Sequence, residues 1–135
     1  LINKIHCAKE KELPSVQVWG SGKPLREFLY VDDLAKAIIH CLKEINSKDI
    51  YDQGISHLNC GSHNEVSIKE LAVIIKNIIK YKGELSFDHS KPDGTFRKKM
   101  DNSRMESMGF SPHTSLEIGI EKTYNWFINN KKEDC

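Results

Sequence analysis

The stretch from Ser67 to Ile79 leaves this chain the least freedom. Ser67 and Glu70 stand at the S-x-x-E spacing of a capping box, flanked by Val66 and Leu71. Ile68, Leu71, Ala72, Ile75 and Ile79 then repeat along one side of a helical period. A helix with that start and that apolar stripe has to lie on a core. Around it the pattern is strand-like. Val16 and Val18 alternate with Gln17 ahead of the turn Gly20-Ser21-Gly22-Lys23-Pro24. Phe28 to Val31 and His57 to Gly61 are short β-prone runs, and Leu85 to Asp88 follows the break at Gly83.

Other helices are marked less sharply. Leu1 to Ala8 has helical spacing from its first residue, without a cap. Asp32 is placed to cap a helix whose stripe of Leu34, Ile38, Cys41, Leu42 and Ile45 is expected to face the core. Asp101 is placed to cap a short helix running to Met108. Thr114 and Glu117 form a second capping box before Leu116, Ile120, Tyr124 and Phe127. Asn46 to Ser56 reads as an exposed loop, and so does His89 to Lys99, which is built around Pro92-Asp93-Gly94. The alternation predicts an α/β fold, a small sheet of short strands with about four to five helices.

The chain of 135 residues is long enough for one core, so 1–135 is taken as a single domain with a flexible tail at 131–135. A net charge of +1 leaves no overall field to attract nucleic acid or an anionic membrane, so any bound anion must meet a local cluster. No apolar run reaches the roughly 18 residues that a membrane span needs. The four cysteines, Cys7, Cys41, Cys60 and Cys135, lack C-x-x-C or zinc spacing and read as reduced thiols in a cytoplasmic protein. The six histidines show no metal-ligand spacing, so no metal site is expected. A start in mid-helix points to a segment of a longer protein.

Three stretches carry a resemblance. They are Val18-Trp19-Gly20-Ser21-Gly22-Lys23-Pro24-Leu25-Arg26-Glu27-Phe28-Leu29-Tyr30-Val31-Asp32-Asp33, then Ser56-His57-Leu58-Asn59-Cys60-Gly61, then Phe87 to Lys99 with its Lys91-Pro92-Asp93-Gly94-Thr95 core. In that order they resemble the C-terminal, substrate-binding part of the GDP-L-fucose synthase family, extended short-chain dehydrogenase/reductases of the NAD-dependent epimerase/dehydratase superfamily. The block from Arg26 to Asp33 is shared across nucleotide-sugar epimerases and dehydratases. The Lys-Pro-Asp-Gly-Thr segment, with Trp-Gly-Ser-Gly upstream and Tyr124-Asn125-Trp126-Phe127 at the end, is narrower.

The resemblance implies a homodimeric, NADP-dependent enzyme. It converts GDP-4-keto-6-deoxy-D-mannose to GDP-L-fucose by 3,5-epimerisation and 4-reduction. It also implies that the Rossmann core, the NADP site and the catalytic groups belong to an N-terminal domain missing from this sequence. No catalytic or cofactor-binding residue is therefore expected here, neither His6 nor Cys7 inherits the epimerising role, and the segment alone is expected to be inactive. Gly20-Ser21-Gly22 lacks the third glycine and following helix of a dinucleotide fingerprint. The alternatives are a relative acting on a UDP- or dTDP-sugar, or a non-catalytic interaction module.

Five residues are expected to meet the GDP-sugar. Arg26 can fork onto a phosphate, though an ion pair with Glu27 is the competing reading. By resemblance, Lys4 and Lys98 add positive charge around the diphosphate, although Lys98 also fits a solvated basic run. Trp19 offers a ring for the guanine or sugar face, against the alternative of core packing. Asp93 can accept hydrogen bonds from sugar or ribose hydroxyls, or simply form the turn. Asp32 and Asp33 are assigned to the helix start and not to a carboxylate pair.

Overall fold

The computed structural model describes residues 1–130 and 135, so most of the expected tail at 131–135 lies outside the described residues. The fold is mixed α/β, with six helices among the described residues where four to five were expected. The elements are α1 (Ile2–Glu10), β1 (Ser15–Trp19), β2 (Leu25–Glu27), α2 (Val31–Glu44), α3 (Ser47–Tyr51), β3 (Glu65–Ser67), α4 (Ile68–Ile79), β4 (Glu84–Asp88), β5 (Arg97–Lys98), α5 (Ser103–Ser107) and α6 (Leu116–Asn130). In place of one small sheet there are two: β1 beside β4, and β3-β2-β5.

The chain divides into two compact units. The first holds Leu1–Arg26, Val66–Lys98 and Glu117–Cys135. Its core follows the sequence pattern closely: Val16 and Val18 point inward from β1, while Leu71, Ala72, Ile75 and Ile79 line α4 beside Ile5, Ala8 and Ile120. Period-2 alternation on β1 therefore turns Ser15, Gln17 and Trp19 outward. The capping box forms as expected, with the Glu70 amide donating to Ser67 Oγ at 3.1 Å and the Ser67 amide to Glu70 Oε2 at 2.7 Å. Two more donors at this helix start go to the turn after β1: Ile68 N to Pro24 O at 3.1 Å and Lys69 N to Gly22 O at 2.9 Å. Amides that a helix leaves unpaired at its N-terminus thus anchor that turn.

The second unit comprises Glu27–Glu65 and Lys99–Leu116, and here the sequence misleads more often. The strand expected over Phe28 to Val31 ends at Glu27, and α2 begins at Val31 with extended Tyr30 as its N-cap. Asp32 therefore lies inside the helix and does not cap it. Asp33 is 2 % exposed and accepts from the Thr114 amide at 2.8 Å. That holds Thr114 outside α6, which starts at Leu116, so Thr114 is no cap. The stripe expected to be core-facing is uncovered at Leu34, Ile38 and Leu42, with Val31 and Ile39 exposed beside it.

The predicted strand at His57 to Gly61 has no regular structure. Just beyond it the His63 amide bonds the Glu27 carboxylate at 2.6 Å instead of a neighbouring strand. The loop predicted from Asn46 contains α3, whose Asp49 carboxylate accepts from the Asn46 amide at 2.8 Å. Asp101 does not cap α5, whose N-cap is Asn102; it lies one residue earlier and accepts from the Ser103 amide at 3.0 Å.

Cys7 and Cys135, both in the first unit, form a disulfide, which corrects the reading of all four cysteines as reduced; Cys41 and Cys60 are free. A bond joining residues 128 positions apart leaves no local spacing to read. No helix among the described residues is long and apolar enough to cross a membrane.

Candidate functional site

All five predicted site residues fall in the first unit. β1 and β4 are parallel and in register to their last residues, Trp19 opposite Asp88, so the loops that follow both strands leave from one edge. In open α/β sheets the carboxyl ends of parallel strands are where ligands bind, because the diverging loops leave a crevice there. Trp19 is 70 % exposed at this edge, so it is not packed into the core of this unit.

The loop after β4 is fastened at several points. Lys91 N donates to Asp88 O at 3.2 Å, and Asp88 Oδ1 accepts from Ser90 N at 3.0 Å and Ser90 Oγ at 2.6 Å. This turn brings Lys91 Nζ to 5.8 Å from the centroid of the Trp19 ring, within cation–π range. Asp93 then crosses to the turn after β1, where it accepts from Ser21 N at 2.8 Å and Ser21 Oγ at 2.5 Å. Hydrogen bonds from the Ser21 hydroxyl and amide hold the Asp93 carboxyl below its usual range, slight desolvation opposing and His89 and Lys23 assisting. Gly20 makes this approach possible: its φ is +83°, and a Cβ there would sit 2.5 Å from Asp93 Oδ1.

Gly94 opens the same loop to Arg26, since a Cβ at Gly94 would stand 3.1 Å from an Arg26 guanidinium nitrogen. Arg26 in turn pairs in parallel register with Lys98 on β5, so the two side chains leave the same face of the sheet. The β5 strand, expected to be loop, is what sets them side by side. The expected competitor for Arg26 is occupied elsewhere. The Glu27 carboxylate accepts from His63 N at 2.6 Å, Met100 N at 3.2 Å and Asn102 Nδ2 at 3.4 Å, all within the second unit. Among the described residues neither Arg26 nor Lys98 has an acidic partner. Arg26 Nη1 donates only to its neighbour's carbonyl, Leu25 O, at 2.6 Å.

The structure thus gathers Trp19, Arg26, Asp93 and Lys98 around the loop from 88 to 98. Lys4 is separate, its ammonium donating to Gln17 O on β1 at 2.5 Å. Sequence reasoning missed Ser21 and Lys91 as parts of the cluster. Lys91 lies within a motif that was noticed, but nothing local announces that it folds back over Trp19. The turn at Gly20 to Gly22 does not fit a dinucleotide pyrophosphate: the Ser21 amide already serves the Asp93 carboxylate, and β2 follows instead of a helix. No group of three or more His, Cys, Asp or Glu side chains gathers as a metal site among the described residues.

The model of the NAD dependent epimerase/dehydratase family matches residues 1–61. A probable GDP-L-fucose synthase 1 from Oryza sativa subsp. japonica is 47 % identical over 96 % of this chain. This chain is similar to GDP-L-fucose synthases along nearly its whole length. The crystal structure of such a synthetase from Naegleria fowleri superposes with a TM-score of 0.86 at 29 % identity, covering 99 % of this chain and 39 % of that one. A GDP-6-OMe-4-keto-L-xylo-heptose reductase from C. jejuni gives a TM-score of 0.87 at 32 % identity, covering 96 % of this chain and 47 % of that one. The chain spans 38 % of the length of the rice relative.

Proposed function

We propose that this chain is the GDP-sugar-binding part of a GDP-L-fucose synthase, an enzyme that epimerises GDP-4-keto-6-deoxy-D-mannose at C3 and C5 and reduces its C4 ketone with NADPH. The observation that carries the reading is the Arg26–Lys98 register pair, two adjacent cations with no acidic partner among the described residues. Like charges on neighbouring strands repel, and a diphosphate laid across them turns that repulsion into attraction. Arg26 supplies a planar fork for one phosphate and Lys98 a point charge for the other. Trp19 receives the base or sugar, while Lys4, whose ammonium bonds Gln17 O away from this cluster, is assigned to the ligand by resemblance alone. Asp93, already engaged by Ser21, keeps free lone pairs for a hydroxyl of the ligand.

In this reading the chain binds and orients, holding the keto-sugar at reacting distance from groups supplied by a part of the protein outside it. In this reading no step of the chemistry is assigned to the described residues, and the segment alone is expected to be inactive. The uncovered apolar face of α2, with Leu34, Ile38 and Leu42, is where the NADP-binding part docks. A homodimer and a cytoplasmic setting belong to the same reading by resemblance. The Cys7–Cys135 disulfide argues against the latter, since such bonds persist mainly in oxidising compartments.

The test is a thermal-shift comparison of GDP, UDP and dTDP. Selective stabilisation by GDP is expected. Preference for UDP or dTDP would move the chain to another nucleotide-sugar epimerase or dehydratase. No response to any of the three would favour a protein-interaction role for the exposed face of α2.

A further inference from the structure

Lys91 has no part in the function proposed above, yet the fold takes trouble to place it. The loop that carries it is tied at Asp88 on one side, through the Lys91 and Ser90 amides and the Ser90 hydroxyl, and at Ser21 on the other, through Asp93. Both ties lead back to the end of the β1–β4 pair, where Trp19 stands opposite Asp88. The outcome is an ammonium 5.8 Å from the centroid of an indole that is 70 % exposed. Lys91 Nζ stands over the Trp19 ring, so a planar base stacking on that indole would move the ammonium aside to the base's own edge.

An ammonium is donor-only. Of the purines, guanine presents two neighbouring acceptors, O6 and N7, on one edge, whereas adenine presents N7 beside an amino donor. A lysine at the rim of a stacked base therefore favours guanine and leaves adenine with an unmatched donor. We propose that Lys91 reads the O6/N7 edge of a guanine stacked on Trp19, making it a specificity-determining residue held in place by the Ser21–Asp93 bonds. The proposal rests on the GDP-sugar reading and adds to it the group that selects the base.

The experiment titrates GDP, IDP and ADP calorimetrically into the unaltered chain, Lys91→Ala and Ser21→Ala, with circular dichroism confirming the fold of each. IDP keeps O6 and N7 while lacking the 2-amino group. Lys91→Ala is expected to weaken GDP and IDP by about tenfold, the discrimination typical of one good base contact, and to leave ADP unchanged. Ser21→Ala should cause a smaller loss with the same selectivity. Equal weakening of all three nucleotides would reduce Lys91 to a general charge and overturn the proposal, as would undiminished GDP binding. If the unaltered chain binds ADP as tightly as GDP, base reading fails while the diphosphate site stands; if it binds neither, the GDP-sugar assignment falls with it.

Discussion

Asp93 takes two hydrogen bonds from Ser21, 72 positions away in sequence, one from the amide at 2.8 Å and one from the hydroxyl at 2.5 Å. The bonds hold the Asp93 carboxyl below its ordinary range, so the tie is complete above the usual aspartate pKa of about 3.9 and is lost as pH falls through the lower folded value. In a Trp126→Phe background, Trp19 fluorescence should report this release on acidification. Asp93→Asn should abolish the pH dependence, and an unchanged profile would show that the tie does not govern the loop around Trp19.

Asp33 carries a second acid-sensitive contact. Burial pushes its carboxyl up, but Thr114 and Lys36 outweigh that and hold it below the usual range. Its contribution is therefore present above about pH 3.9 and disappears with acidification through the folded value. Asp33→Ala should cost about 2 kcal/mol through lost hydrogen bonds to a charged group. Urea denaturation at neutral pH would measure it, and the gap from the unaltered chain should narrow in acid.

Leu42 is 81 % exposed on α2. Leu42→Lys should change the stability of the isolated chain by no more than about 0.5 kcal/mol, as for an ordinary surface substitution, and should raise its solubility. A loss of several kcal/mol in chemical denaturation would mean that the side chain is covered within this chain.

The disulfide makes a chemical prediction. Alkylation of the denatured chain without reductant should label Cys41 and Cys60 and spare Cys7 and Cys135, as read by peptide mass spectrometry. Labelling of all four would return the chain to the reduced state its cysteine spacing implied.

Much of the first unit was legible because its signals are local. Ser67 and Glu70 declare a helix start, Val16 and Val18 declare a strand face, and the glycine turn between them declares itself by composition. The second unit was less legible for two reasons. An apolar stripe such as Leu34, Ile38 and Leu42 says that a helix face wants cover, not that the cover lies in the same chain. And Asp32, Asp33 and Thr114 have capping chemistry, while the partner that Asp33 chooses is 81 positions away. The site divides along the same line. Arg26 and Trp19 could be picked out by chemical type, but the freedom of Arg26 depends on Glu27 turning to His63, Met100 and Asn102, and the pairing with Lys98 depends on a two-residue strand.

The Arg26–Lys98 pair also sets a salt dependence. GDP affinity should fall steadily between about 0.01 and about 1 M ionic strength, where the screening length shrinks from about 30 to about 3 Å. Lys98→Ala should flatten that slope. A salt-independent affinity would place the diphosphate away from the register pair.

The most direct measurement is calorimetric titration of GDP into the unaltered chain and into Arg26→Ala, with matching circular dichroism to show equal folding. A guanidinium gripping a phosphate is worth about 1.5 to 3 kcal/mol as a charged hydrogen bond, so Arg26→Ala should bind GDP roughly tenfold to more than a hundredfold more weakly. Equal affinity in the two proteins would contradict the assignment of this edge as the diphosphate site.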